Sequence, residues 1–336
     1  MIDRAIGVRA ATPRVQVFIP TYNRVDRLRA AVGSVLAQTW PSVEVVVLDN
    51  HSTDGTNEVM QGIVAKDPRV QHVRRPYNIG MFGNLNAIAG LVDGDFFAML
   101  TDDDTYEPGF VEMAVQLFDQ WPDIDLVACD APARYHGVVK GSQMDYWKEG
   151  YYRAGSGVLK CLFNHYPLIT NCMFRARLRG EFHFHPELGN TGDAYILTSV
   201  FAAHATYVSH YRSGYWNNDG DNASSREGFN PVVIANTAMA EYGLYRKRAR
   251  DGRFGRRWLI VAWLRCWMTV LIAADRAGFT ALRRSTMLDA SFGSVARIVL
   301  AAIARSRIIR IVPGILTIIR HWQRARTNRG GRSRAR

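Results

Sequence analysis

The chain has 336 residues, 48% hydrophobic and 21% charged, which suits a buried core and leaves room for one large domain plus an appendage, or for two domains. Its net charge of +12 conceals an asymmetry: residues 246–336 hold 22 basic and 3 acidic side chains, a balance of +19, which leaves −7 for residues 1–245. An acidic front disfavours nucleic acid as substrate, and a strongly basic tail implies an anionic surface as its partner.

In chain order, the opening MIDRAIGVRAATPRVQ has no apolar core, so a signal peptide is not expected. Val15 to Ile19 reads as a strand ending at Pro20, followed after Thr21, Tyr22 and Asn23 by a helical pattern through Leu28, Val32, Val35 and Leu36. Val43 to Leu48 is a second strand, ending at Asp49 and Asn50. Ser52 to Gly55 then offers caps for a helix carrying Val59, Met60 and Ile63. A short strand at Val70 to Val73 leads through Asn78, Ile79 and Gly80 to a helix containing Leu85, Ile88 and Leu91. Phe96 to Leu100 forms a strand, a helix follows Pro108, and Ile124 to Cys129 is a further strand. Strands alternating with helices predict a doubly wound, mainly parallel sheet, whose ligands bind beyond the carboxyl ends of the strands. Four cysteines, Cys129, Cys161, Cys172 and Cys266, lack metal-ligand spacing and suit a reducing compartment.

Three polar clusters fall at these strand ends: Thr21 with Asn23, Asp49 with Asn50, and the triplet Asp102, Asp103, Asp104. Adjacent carboxylates repel one another, and a divalent cation that also holds a diphosphate is their natural partner. A solvated acidic loop is the plainer reading of the triplet, and Thr21, Asn23, Ser52 and Asp54 also suit helix caps. No glycine-rich phosphate loop follows the first strand, so charge neutralisation by the acidic cluster and a metal would have to replace a backbone cradle.

Together VFIPTYNR (17–24), VVVLDNHSTDGT (45–56), YNIGMFGNLN (77–86) and FFAMLTDDDTYEP (96–108) resemble, in order and spacing, the nucleotide-binding half of the family 2 glycosyltransferases, and in particular members of the spore-coat polysaccharide synthesis type. The resemblance implies a GT-A fold, here with a C-terminal basic α-helical extension, and an inverting, metal-dependent enzyme using a nucleotide-diphospho-sugar, UDP- or dTDP-linked. It assigns Pro20, Thr21, Asn23, Asp49 and Asn50 to the nucleotide, Asn86 to a helix closing over it, and Asp102 to the ribose. Asp103, with Asp104 as a second candidate, would hold Mn²⁺ or Mg²⁺. The chain departs from the family pattern in having Asn50 where many members carry an acid, Leu85 in place of an Arg, and Thr101 in place of the first acid of the motif.

Further on, the resemblance places the catalytic base at Asp193, in Gly192-Asp193-Ala194 at the start of a helix, with Asp221 and Glu187 as alternatives. A carboxylate that merely complements a helix dipole is the competing reading. It also sets Asp219 where the family has a metal-binding His. The segment from His136 to Leu188, with Tyr146, Trp147, Tyr151, Tyr152 and His165, is expected to face the acceptor, a glycan or lipid-linked glycan, although aromatics are also good core material. These roles predict a GT-A domain over residues 1–228, split into a nucleotide-sugar half (14–130) and an acceptor half (131–228). Residues 229–336 would then form a basic amphipathic region. Its apolar stretches are broken by arginines and fall short of a spanning helix, so it is expected to lie on an anionic membrane surface, placing the protein in the cytoplasm at the inner face of the cell membrane. The competing functions are a catalytically degenerate binding domain and a nucleotidyltransferase.

Overall fold

In a computed structural model of the chain, the described residues are 12–135, 138–139, 141–163, 165–217, 230–251, 258–263, 265–266 and 269. The front half follows the expected alternation: β1 (Val15–Thr21), α1 (Val25–Leu36), β2 (Val43–Asp49), α2 (Thr56–Val64), β3 (Val70–Arg74), α3 (Gly80–Asn86), α4 (Ile88–Leu91) and β4 (Phe96–Met99). The helix expected through Leu85, Ile88 and Leu91 is broken at Ala87. Gly80, Gly83 and Gly90 lower its helix propensity, and two short pieces result.

After β5 (Thr105–Tyr106) come α5 (Phe110–Gln120), β6 (Ile124–Asp130), β7 (Ala133–Tyr135), β8 (Val138–Val139) and β9 (Gly150–Tyr152). Then follow α6 (Val158–Leu162), β10 (Cys172–Arg175), α7 (Gly192–Ala203), β11 (Ala205–Arg212), β12 (Gly214–Asn217) and α8 (Pro231–Arg250). The main sheet has eight strands in the order β3-β2-β1-β4-β10-β6-β11-β9, parallel except where β10 and β9 run against their neighbours. A four-stranded sheet, β5-β12-β7-β8, stands beside it.

Alternation along the strands divides the core between the sheet's two faces. Val15, Val17 and Ile19 join Leu28, Val32, Met60, Phe110 and Phe118 beneath α1, α2 and α5. Phe18, Phe97 and Leu126 join Phe174, Phe182, Leu197 and Phe201 on the other side, under α7. All four cysteines are buried free thiols. α8 packs on α6 and α7 through Tyr245 and Tyr242, and Leu259 and Ala262 join the same cluster, so packing continues past residue 229. Among the described residues no helix is long and apolar enough to cross a membrane.

Candidate functional site

The register of the sheet builds the site. β1 and β4 are parallel neighbours with Phe18 opposite Met99, so Thr21 and Asp102, each three residues further on, meet beyond the strand ends. Thr21 Oγ1 donates to Asp102 Oδ2 at 2.7 Å. β1 lies between β2 and β4, where the strand order reverses, and doubly wound sheets open a crevice at such a point.

The loop after β1 is latched to the loop after β2. Asn23, at a φ of 53°, accepts from Thr53 N at 2.7 Å, and its own N–H donates to Ser52 Oγ at 2.9 Å. Asp54 accepts from Thr56 N at the start of α2 and from Val25 N at the start of α1, capping both helices at once. Arg24, held in the middle of this latch, reaches the acidic triplet, where a single nitrogen, Nη1, lies 3.0 Å from both Asp102 Oδ1 and Asp103 Oδ2. Arg27, one turn later, stands 3.8 Å from Asp103.

The three acids differ in their surroundings. Asp104 accepts from Thr101 Oγ1 at 2.7 Å and from Asn217 N at 2.8 Å, so one of its oxygens closes its own loop and the other fastens the triplet to β12. Asn217 also donates to Asp103 O. Burial pushes Asp102 up to about 6 against the pull of Arg24 and Thr21. Burial, reinforced by the charge of Asp103, pushes Asp104 up to about 7. Asp103 has no comparable anchor beyond the two arginines and lines the cavity.

That cavity, about 540 Å³, collects most of the expected residues. Pro20, Thr21 and Asn50 line it from the first two strand ends, the acidic triplet from the third, and Asp193 from the first turn of α7. Burial raises Asp193 to about 6, and its Oδ1 accepts from Ala194 N at 2.7 Å. This is the ionisation range a general base needs near neutral pH.

Asn50 has little freedom. Its Nδ2 donates to Asn78 Oδ1 at 2.9 Å and to Gly80 O at 3.2 Å, and its Oδ1 accepts from Ile79 N at 2.9 Å. With both N–H groups used, it offers the cavity only a remaining oxygen lone pair.

Three of the expected residues stand behind the wall. Asp49 is fully buried and accepts from Ser52 N, with His72 at 3.5 Å; burial pushes its pKa up, but the His72 and Ser52 interactions outweigh this and hold it below the usual carboxylate range. Asn23 forms the latch described above. Asn86 turns both ends of its amide on Phe184, donating to its O at 2.9 Å and accepting from its N at 2.7 Å, and so fixes a residue that does line the cavity.

Glu187, an alternative base, lies beside His185 and off the cavity wall. Asp219 and Asp221 fall outside the described residues. None of the five aromatics expected on the acceptor side lines the cavity. Apolar burial claims Trp147, which packs against Phe201, while Tyr146 stacks on His165 at 3.7 Å on the exposed surface. That side of the wall is made by Leu168, Ile169, Thr170, Phe184 and Trp216.

Among the described residues no three His, Cys, Asp or Glu side chains gather as a ready-made metal site. The donor chemistry nevertheless fits a hard divalent cation. Asp103 and Asp102 offer carboxylate oxygens from neighbouring positions on the cavity wall, the hard donors such a cation takes. Sequence reasoning passed over Arg24, Asn84 and Trp216. The position of Arg24 directly after the strand-end Thr21-Tyr22-Asn23 was the available signal for it. Asn84, which donates to Leu48 O at 2.8 Å, and Trp216 depend on contacts between distant segments.

Residues 16–178 match the description of glycosyl transferase family 2. A GalNAc(5)-diNAcBac-PP-undecaprenol beta-1,3-glucosyltransferase of Campylobacter jejuni is 31% identical over 105 residues, 31% of this chain and 34% of that protein. The chain spans only about a third or less of the length of the first curated relatives it matches. S. aureus TarS 1-349 in complex with UDP-GlcNAc superposes with a TM-score of 0.58 at 15% identity, covering 82% of this chain and 77% of that one. A mannosyltransferase from Pyrobaculum calidifontis in complex with GDP-Man and Mn²⁺ gives 0.52 at 17%, covering 90% and 83%. At such identities the likeness is one of fold: a mixed α/β architecture with a large, mainly parallel sheet, as expected from the sequence.

Proposed function

We propose, from the glycosyl transferase family 2 domain that residues 16–178 of this chain carry, that the protein transfers a sugar from a nucleotide-diphospho-sugar to a hydroxyl of a glycan acceptor in polysaccharide or glycolipid synthesis. The observation that carries the reading is the convergence of Thr21, Asp102, Asp103 and Asp193 on one cavity from three separate segments. Asp193 takes the proton from the attacking hydroxyl; its raised pKa keeps it basic enough to do so and still largely ionised at pH 7. The hydroxyl oxygen bonds to the anomeric carbon as the bond to the diphosphate breaks, and a single displacement inverts the configuration. Thr21 and Asp102 bind the nucleoside, and Asn50 accepts from a ring N–H of the base, which suits a uracil or thymine donor.

Asp103, with Asp102 beside it, would hold Mn²⁺ or Mg²⁺, and that ion when bound neutralises charge on the departing diphosphate. The TarS complex with UDP-GlcNAc supports a UDP-linked donor, and the undecaprenol in the name of the Campylobacter relative supports a lipid-linked acceptor. With such an acceptor, the basic 246–336 region would hold the protein on the inner face of the cell membrane. Its residues from 270 onward lie outside the described structure.

The test is thermal stabilisation by a panel of nucleotide-sugars with Mn²⁺, followed by an assay of donor turnover for the best binder. Stabilisation by at least one UDP- or dTDP-sugar, with metal-dependent turnover that Asp103→Ala removes, is expected. Stabilisation without turnover of any donor would leave a binding protein in place of an enzyme.

A further inference from the structure

We propose that Arg24 is an exchangeable counter-ion: it neutralises Asp102 and Asp103 in the nucleotide-free protein and yields Asp103 to a divalent cation when a nucleoside diphosphate binds. The proposal rests on the reading of Asp103 as a metal ligand and adds to it what competes for that ligand.

The geometry makes Arg24 the present occupant. One guanidinium nitrogen lies 3.0 Å from an oxygen of each carboxylate, and the side chains of Asp102 and Asp103 are only 7% and 9% exposed, so water does little of the screening. Arg24 and Arg27 both stand at Asp103 Oδ2, so a divalent cation on Asp103 would add further positive charge beside them, a repulsion that withdrawal of a guanidinium relieves. Something must move, and the structure shows what can. The backbone of Arg24 is pinned, its carbonyl accepting from Leu28 N at 3.0 Å, with the Asn23 and Asp54 contacts on either side. Its guanidinium, in contrast, ends a long flexible stem on the cavity wall, 22% exposed. The head group can therefore leave Asp103 without disturbing α1. Within the same cavity a diphosphate is its natural new partner, since guanidinium pairs with phosphate oxygens in a two-pronged fashion.

The two ligands are thereby coupled. Metal alone must break the Arg24–Asp103 ion pair against the charge of the guanidinium, whereas metal with diphosphate offers that guanidinium an anion to replace Asp103. Each ligand therefore strengthens the other's binding, by the same factor in both directions. Removing Arg24 should ease metal binding and shrink that factor.

The experiment is calorimetric titration of the full chain with Mn²⁺, with and without UDP, for wild type and Arg24→Met. Mn²⁺ alone is expected to bind the variant about 10-fold more tightly, and the strengthening by UDP to fall by a similar factor. Affinity for Mn²⁺ alone that is unchanged or weaker in the variant overturns the proposal while leaving the metal reading intact. If neither protein binds Mn²⁺ although UDP binds, the metal reading itself fails and takes the proposal with it. Should Arg24→Met not fold, the guanidinium ¹⁵N resonances of wild type decide: those of Arg24 should shift on adding Mg²⁺ with UDP, and an unmoved signal overturns the exchange.

Discussion

Asp193 is half-buried in the first turn of α7, and that position sets both its proton affinity and its use. Because burial raises its pKa to about 6, the ionised base is lost as pH falls through that value. Plots of kcat/KM should therefore carry an acidic limb near pH 6. Asp193→Asn should lower kcat by about 10²–10⁴-fold while leaving UDP affinity, measured by calorimetry, within a factor of two. His204 gives a second pH signature, away from the cavity. Its two ring nitrogens lie 2.8 Å from Asp125 and 2.6 Å from Glu181, and these hydrogen bonds raise its pKa from 6.5 to about 9. With the folded value above the unfolded one, the stabilisation is complete below pH 6.5 and disappears as pH rises through 9. Thermal melts of wild type should lose Tm between pH 7 and 9.5, and His204→Gln should flatten that slope. The place of Asp193 at the opening of a helix was legible beforehand, because Gly192-Asp193-Ala194 before an apolar helical pattern is local in the sequence. His204 was not, because its partners lie 79 and 23 residues away.

The elements that hold the base come from far along the chain. The segment Pro186–Thr191 leads into α7, and α8 clamps it from the other side. Asn236 Nδ2 donates to Glu187 O at 3.1 Å, Thr237 Oγ1 meets Thr191 Oγ1, and a Cβ on Gly189, whose φ is 48°, would sit 3.1 Å from Val233. Thr237→Val keeps the shape and removes the hydroxyl pair. It should reduce kcat by about 3–10-fold with donor KM unchanged, and Thr237→Ser should restore it; equal losses in both variants would point to a general loss of packing instead. The strands and helices of the front were readable from pattern, since β1, β2 and β4 are short stretches rich in apolar residues, interrupted only at Gln16 and Glu44 and ending at polar residues. The small sheet β5-β12-β7-β8 was not, because strands of two to four residues are too short to show a period, and their pairing joins residues 105–106 to 214–215.

Over the whole chain, charge and packing divide the C-terminal region. Its beginning belongs to the folded unit: Glu241 is 3% exposed, receives Thr198 Oγ1 at 3.4 Å, and pairs with Arg265 at 3.2 Å. A chain ending at residue 228 would lose these contacts and the cover over Leu162 and Ala202, and should melt well below full length. A chain ending at residue 269 keeps them and loses the later arginines. If the basic region is the membrane attachment, full-length protein should float with anionic liposomes and the 269-residue form should stay behind, with both binding UDP equally. Salt should weaken the flotation without abolishing it, since arginines supply only part of the attachment. The charge asymmetry that motivates this test was plain from composition alone. That residues 258–263 belong to the folded unit was not, because their apolar run says nothing of its partners, and the packing of Trp258, Leu259 and Ala262 against Leu162 and Tyr245 joins segments far apart in the chain.

The antiparallel strand β10 has a consequence in time. It is the bridge between β4 and β6, yet it is made last of the three, roughly 70 residues after β4 leaves the ribosome, or about 4–15 s at ordinary synthesis rates. Throughout that interval the four-stranded half β3-β2-β1-β4 can form, with the Phe96-Phe97-Ala98-Met99 strand as a bare sheet edge. An unpaired apolar edge is a template for any passing strand, including the same strand of a neighbouring nascent chain. Slowing elongation across residues 131–171 is therefore expected to lower the soluble yield, measured with synonymous slow codons in that stretch, even though it alters no contact of the finished molecule.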